Sequence, residues 1–136
     1  MSTAAAAKKP RPKYLSLSAF LFEIRFPVQV WLSGMHRISG FLLVLPFTAW
    51  LLYLLDASLA SEQGFNHVRD QYMRTPVAKL GIIVFVWALA HHFCAGIRFL
   101  LIDLNKGVDL PQARYSSYAV FAISIAFTLL VAWRIW

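Results

Sequence analysis

Three long apolar runs constrain this chain more than anything else in it. They cover about residues 28–53, 77–102 and 115–136, each long enough for the ~20 apolar residues a bilayer demands. Lipid leaves no unpaired backbone amide satisfied, so segments of this character cross it as helices. Composition agrees: 60% of the 136 residues are hydrophobic and 14% are charged, where soluble domains carry about a quarter. Aromatic residues stand near the run ends, as Trp31, Tyr53, Tyr115 and Trp136 do, where membrane interfaces favour them. The expected fold class is an all-α membrane protein with three transmembrane helices.

Two domains follow from this pattern. Residues 1–27 read as a cytoplasmic tail and interfacial segment, with Pro10 and Pro12 opposing helix and the stretch from Tyr14 to Arg25 apolar enough to lie on the membrane. Residues 28–136 form the three-helix transmembrane domain. Pro27 suits a first helical turn, and Pro46 is expected to kink the first span. Residues 54–75 read as the only sizeable loop, with His67 a solvated loop histidine. Thr75-Pro76 is a helix start signal, a capping hydroxyl followed by proline.

The net charge is +7 and unevenly placed. Lys8, Lys9, Arg11, Lys13 and Arg25 precede the first run, opposed by Glu23 alone, and Lys106 and Arg114 occupy the second connection. The positive-inside rule puts the N-terminus and that connection in the cytoplasm, and accounts for the basic arm without a nucleic-acid partner. The first run is too long for a signal peptide and shows no clear cleavage site. Cys94 is the sole cysteine, so neither a disulfide within the chain nor a covalent haem attachment motif is available, and it reads as a small core residue. There is no GxGxxG or P-loop pattern and no internal repeat.

The ionisable residues inside the runs are His36, Arg37, His91, His92 and Arg98. Each needs a reason to be there, since a charge at mid-bilayer costs at least ~2.5–3.5 kcal/mol on insertion scales. Arg37 lies about nine residues into the first span, or ~14 Å deep, and His92 about ten residues before the end of the second, or ~15 Å deep. The two therefore share a level in the cytoplasmic half of the membrane. Ser33, Arg37 and Gly40 fall on one face of the first helix, and Ala88, His92, Ala95 and Gly96 on one face of the second. His91 points about 100° away from His92. A neutral imidazole is a good haem-iron ligand, and cations at the same level suit haem propionates. On the residues alone a haem or quinone site, helix packing and an ion path all stay open, with packing or an ion path together the larger share. A translocator would need polar groups along the full depth of a span. Here they cluster in one half, and the third run is nearly free of them before Arg134.

Motifs narrow the choice. Arg11-Pro12 with Leu15-x-Leu17, then Arg25-Phe26-Pro27, then Ser33-x-x-His36-Arg37-x-Ser39-Gly40, resembles the cytochrome b556 anchor subunits of succinate dehydrogenase, respiratory complex II. His92-x-x-x-Gly96-Ile97-Arg98, followed by Asp103, is similar to that family's second signature. The likeness spans Arg11 to Trp136. Two departures stand out: Phe99 occupies a position where family members often carry a histidine, so no role carries over there, and the stretch from Ser16 to Glu23 is slightly longer.

The resemblance implies a part of succinate:ubiquinone oxidoreductase that performs no chemistry on succinate itself. His92 matches the axial ligand to the iron of haem b, which is shared with a second membrane anchor subunit. His36 and Arg37 match residues near the haem propionates. Ser33 and Arg37 match the ubiquinone pocket, where they hydrogen-bond a quinone carbonyl. Arg98 and Asp103 match the cytoplasmic boundary facing the iron–sulfur subunit. A flavoprotein subunit completes the set of partners, lipid surrounds the spans, and the implied location is the bacterial inner membrane. The competing expectation is a haem-free structural or assembly anchor, whose intramembrane histidines and arginines pair only with neighbours.

Overall fold

A computed structural model of the chain describes Ser18 and residues 24–136. The basic tail and most of the interfacial segment within residues 1–27 lie outside the described residues. Among the described residues all regular structure is helical, and three helices are long and apolar enough to cross a membrane.

The first, α1, is one continuous column from Val28 to Ala60. Pro27 stands just outside it as the N-cap, in extended conformation, rather than within the first turn. Pro46 does not end the column. A proline lacks the N–H for the usual helical bond, and its ring crowds the carbonyl four residues back. The chain absorbs both problems in a single π turn, Leu43–Phe47, where the Thr48 amide and hydroxyl both donate to the Leu43 carbonyl, the hydroxyl at 2.8 Å. The column then continues past Tyr53 to Ala60, so the expected loop loses its first seven residues to helix.

Most of the remaining loop is helical as well, which corrects the sequence expectation. Ser61 caps α2, Glu62–Asp70, by accepting a hydrogen bond from the Gly64 amide at 3.0 Å. A Cβ at Gly64 would collide with the Ala57 carbonyl, so glycine lets α2 fold back on the end of α1. His67 is exposed on this helix, with Nδ1 2.9 Å from Gln71 Oε1. A short 3-10 turn, Tyr72–Arg74, leads to Thr75, which accepts from the Ala78 amide at 3.2 Å and starts α3, Pro76–Asp103. Asn105, at a φ of 56°, stops α3 in the left-handed conformation that asparagine tolerates. The last span, α4, is Leu110–Ile135.

The three spans pack as a bundle in which α3 contacts both α1 and α4, and α1 also touches α4. Leu32, Ala95 and Val120, one from each, meet in the buried core. The α3–α4 seam mixes small and hydroxyl residues with two larger polar ones: Ala88, His91, Ala95 and Arg98 are buried on α3, and Ser117, Val120, Ser124 and Thr128 on α4. These recur at helical spacing on each partner, the pattern by which small residues let membrane helices approach closely. The third span is thus richer in polar groups than its want of charge suggests. Its hydroxyls are spent locally, Ser117 on the Ala113 carbonyl at 2.7 Å and Thr128 on that of Ser124 at 2.7 Å.

Candidate functional site

The α1–α3 contact is where the intramembrane histidines meet. The rings of His36 and His92 stack with centroids 4.2 Å apart and planes 16° from parallel. Each imidazole also lies against a glycine of the opposite helix. A Cβ on Gly40 would stand 2.9 Å from His92 Cε1, and one on Gly96 would stand 3.8 Å from His36 Nε2. Both helices therefore carry the same device, His-x-x-x-Gly, so that a ring from one fills the notch four residues along on the other. The spans run antiparallel, which makes the two halves reciprocal.

Hydrogen bonding at the pair is one-sided. His92 Nδ1 lies 3.2 Å from the His36 carbonyl and 3.3 Å from Ser39 Oγ, whereas Nε2 has no hydrogen-bond partner among the described residues. Both neighbours act as acceptors, because Ser39 donates its proton to the His36 carbonyl at 2.8 Å. Two acceptors at Nδ1 favour the Nδ1–H tautomer of His92, which leaves the Nε2 lone pair uncommitted. That is the arrangement found behind most metal-binding histidines, whose second nitrogen donates to a carbonyl or similar group. His36 Nε2 is buried without a partner among the described residues, and Phe99 lies against its ring at 5.2 Å.

His91, next in sequence, has the opposite surroundings. It is fully buried against α4, with Trp87 stacked at 5.5 Å and Phe121 at 5.2 Å, and its Nδ1 is 3.5 Å from Ser124 Oγ. It belongs to the packing of the bundle.

The remaining predicted residues are not drawn into this contact. Ser33 is half-buried and Arg37 exposed on α1, so neither packs into the His36–His92 stack. Arg98, expected at the cytoplasmic boundary facing the iron–sulfur subunit, lies near the end of α3 but does not face outward. It turns into the bundle, 7% exposed, with Nε donating to Ser116 Oγ at 2.9 Å and Nη2 to the Ala113 carbonyl at 3.2 Å. Its guanidinium ties α3 to the first two turns of α4, which offer the Ala113 carbonyl and the Ser116 hydroxyl within reach. Asp103, at the end of α3, is exposed.

Comparison with known proteins places this architecture. Residues 8–131 match the family described as succinate dehydrogenase/fumarate reductase transmembrane subunit. The chain belongs to this family. Among its relatives is the succinate dehydrogenase cytochrome b556 subunit of Coxiella burnetii, 38% identical over 126 residues that cover 93% of this chain and 97% of the relative. The subunit of the same name from Paracoccus denitrificans is 32% identical over 84% of this chain and 86% of its own length. The mitochondrial cytochrome b560 subunit of Caenorhabditis briggsae is 30% identical over 77% of this chain and 58% of its own. The resemblance drawn from the two motifs is thus upheld, and this member of the transmembrane-subunit family is a membrane protein with the three helices expected of it.

One residue in the stack had no assigned part on sequence grounds. Ser39 lies within the first motif, three residues after His36, and is fully buried. The signal that could have found it is this hydroxyl deep in a span, one turn from a histidine and beside a glycine.

Proposed function

We propose that the chain is the cytochrome b membrane anchor of a bacterial inner-membrane succinate:ubiquinone oxidoreductase. In this reading His92 would hold the iron of a haem b shared with a second anchor subunit, and the chain lines part of the ubiquinone-reduction site. The observation that carries the proposal is the geometry at His92, whose Nδ1 faces the His36 carbonyl and Ser39 Oγ and whose Nε2 has no hydrogen-bond partner among the described residues. A neutral imidazole with a free Nε2 is what a haem iron takes as ligand.

When bound, the haem would supply a one-electron store. The chain's own residues do the rest. Ser33 and Arg37 hydrogen-bond a ubiquinone carbonyl, and the guanidinium stabilises the negative charge that develops there as electrons arrive from the iron–sulfur subunit. The apolar spans hold the complex in the membrane, while succinate is oxidised on the flavoprotein subunit. The N-terminus and the α3–α4 connection face the cytoplasm in this assignment, the side that carries the basic residues.

A second reading, the haem-free anchor, is favoured by one observation: the His36–His92 stack already pins α1 to α3. The absorption spectrum of the reduced, purified complex separates the two. b-type Soret and α bands are expected, and their absence sinks the haem assignment. For the quinone site, Arg37→Ala removes a charged hydrogen bond worth about 1.5–3 kcal/mol, which raises the quinone KM roughly ten- to a hundredfold. Succinate oxidation by a soluble artificial acceptor stays intact. Equal losses in both assays would mark failed assembly instead.

A further inference from the structure

Given His92 as an iron ligand, as proposed above, we infer that Ser39 is its positioning residue, fixing which ring nitrogen carries the proton and how the ring is turned. Ser39 has one proton, and it goes to the His36 carbonyl at 2.8 Å. At the 3.3 Å contact with His92 Nδ1 its oxygen therefore accepts. The His36 carbonyl, 3.2 Å from the same nitrogen, can only accept. Two acceptors converging on one ring nitrogen require an N–H there, and a neutral imidazole has a single N–H to place. With Nδ1 bare, both oxygens would face its lone pair inside an apolar bundle, where electrostatic mismatch is poorly screened.

The rest of the contact holds the ring plane. The His36 ring covers one face of the His92 ring at 4.2 Å, and Gly40 provides the notch into which its Cε1 edge fits. Ser39 lies between these two residues in sequence and is fully buried, so its hydroxyl has no water to bond instead. A hydrogen-bond acceptor at Nδ1–H makes Nε2 a stronger base and favours the ferric over the ferrous state. Removing Ser39 Oγ leaves the backbone carbonyl as the sole acceptor and weakens that bias.

Ser124 provides an internal control. Its hydroxyl donates to the Phe121 carbonyl at 3.1 Å and stands 3.5 Å from His91 Nδ1, a similar serine beside a histidine that binds nothing in this reading.

The test uses the whole complex, purified with Ser39→Ala, Ser39→Thr or Ser124→Ala. Haem per complex is measured from the pyridine haemochrome, and the haem midpoint potential by redox titration. Ser39→Ala is expected to move the midpoint to more positive potential, a tenfold change in relative preference for the two iron states being ~59 mV for a one-electron couple. Ser39→Thr, which keeps a hydroxyl able to bond back to the helix, restores the wild-type value. Loss of haem from an assembled Ser39→Ala complex, reversed by Ser39→Thr, supports the same assignment. An unchanged midpoint and haem content in Ser39→Ala overturns it. So does an equal shift in Ser124→Ala, a shift that Ser39→Thr fails to reverse, or a Ser39→Ala complex that does not assemble, since each marks a packing role. Absence of haem from the wild-type complex would instead remove the ligand assignment for His92 on which Ser39's part depends.

Discussion

His91 and His92 are the same side chain on successive residues of one helix, and the bundle treats them in opposite ways. His91 faces α4 across a closed seam and is fully buried between Trp87 and Phe121. His92 faces α1 and is partly accessible, with one nitrogen engaged and the other free. The roughly 100° between consecutive helical residues is enough to separate them. A histidine in a membrane span is thus not a site by virtue of being there. What decides is whether the opposing helix closes over both nitrogens or holds one and leaves the other.

The two faces of α3 differ in their glycines and hydroxyls too, and substitutions can break the contrast. Gly40→Ala is expected to have the largest effect, because its Cβ would press on His92 Cε1 at 2.9 Å. Overpacking of this kind costs about 1–3 kcal/mol, read as a lower melting temperature of the solubilised complex, and haem content falls with it. Gly96→Ala should be much milder, since the new Cβ meets His36 Nε2 at an ordinary 3.8 Å. If both alanines behave alike, the notch at Gly40 is no tighter than the one at Gly96.

On the closed face, Arg98→Ala removes the two hydrogen bonds to Ser116 and Ala113 that tie α3 to α4. Hydrogen bonds to charged groups are worth about 1.5–3 kcal/mol, partly offset here by no longer holding a cation in the bundle. A fall in thermal stability with unchanged quinone KM is expected. A raised KM with unchanged stability would move Arg98 from the seam to the quinone site.

The smallest effect belongs outside the membrane, on α2. The hydrogen bonds and charge of Arg69 hold the Asp70 carboxyl below its ordinary value. Whatever this pair contributes is present above the ordinary carboxylate range and is lost as pH falls through the lowered value. Both side chains are exposed to water, so Asp70→Asn should leave the melting temperature at neutral pH unchanged within error.

How far the chain could be read in advance follows the reach of each interaction. The spans were legible because a bilayer imposes a length on any apolar run. The level shared by the α1 and α3 polar groups was legible too, from rise per residue alone. Asp56 and the polar stretch after it suggested a loop, yet a helix can leave the membrane and continue, and Ser61 with Gly64 starts a second one at once. Arg98 was unreadable in a different way: its partners are on another helix, and no spacing within α3 reveals them. Ser39 fell between these cases. Its bond to His36 is local, but its meaning comes from His92, fifty-three residues away.

The most direct test is the haem content of two variants of the purified whole complex, His92→Ala and His91→Ala, each measured per complex beside the wild type. Loss of the b-type reduced spectrum in His92→Ala, with near-wild-type haem in His91→Ala, is the predicted result. Full haem in His92→Ala, or loss in His91→Ala alone, would contradict the assignment of the ligand to the face that meets α1.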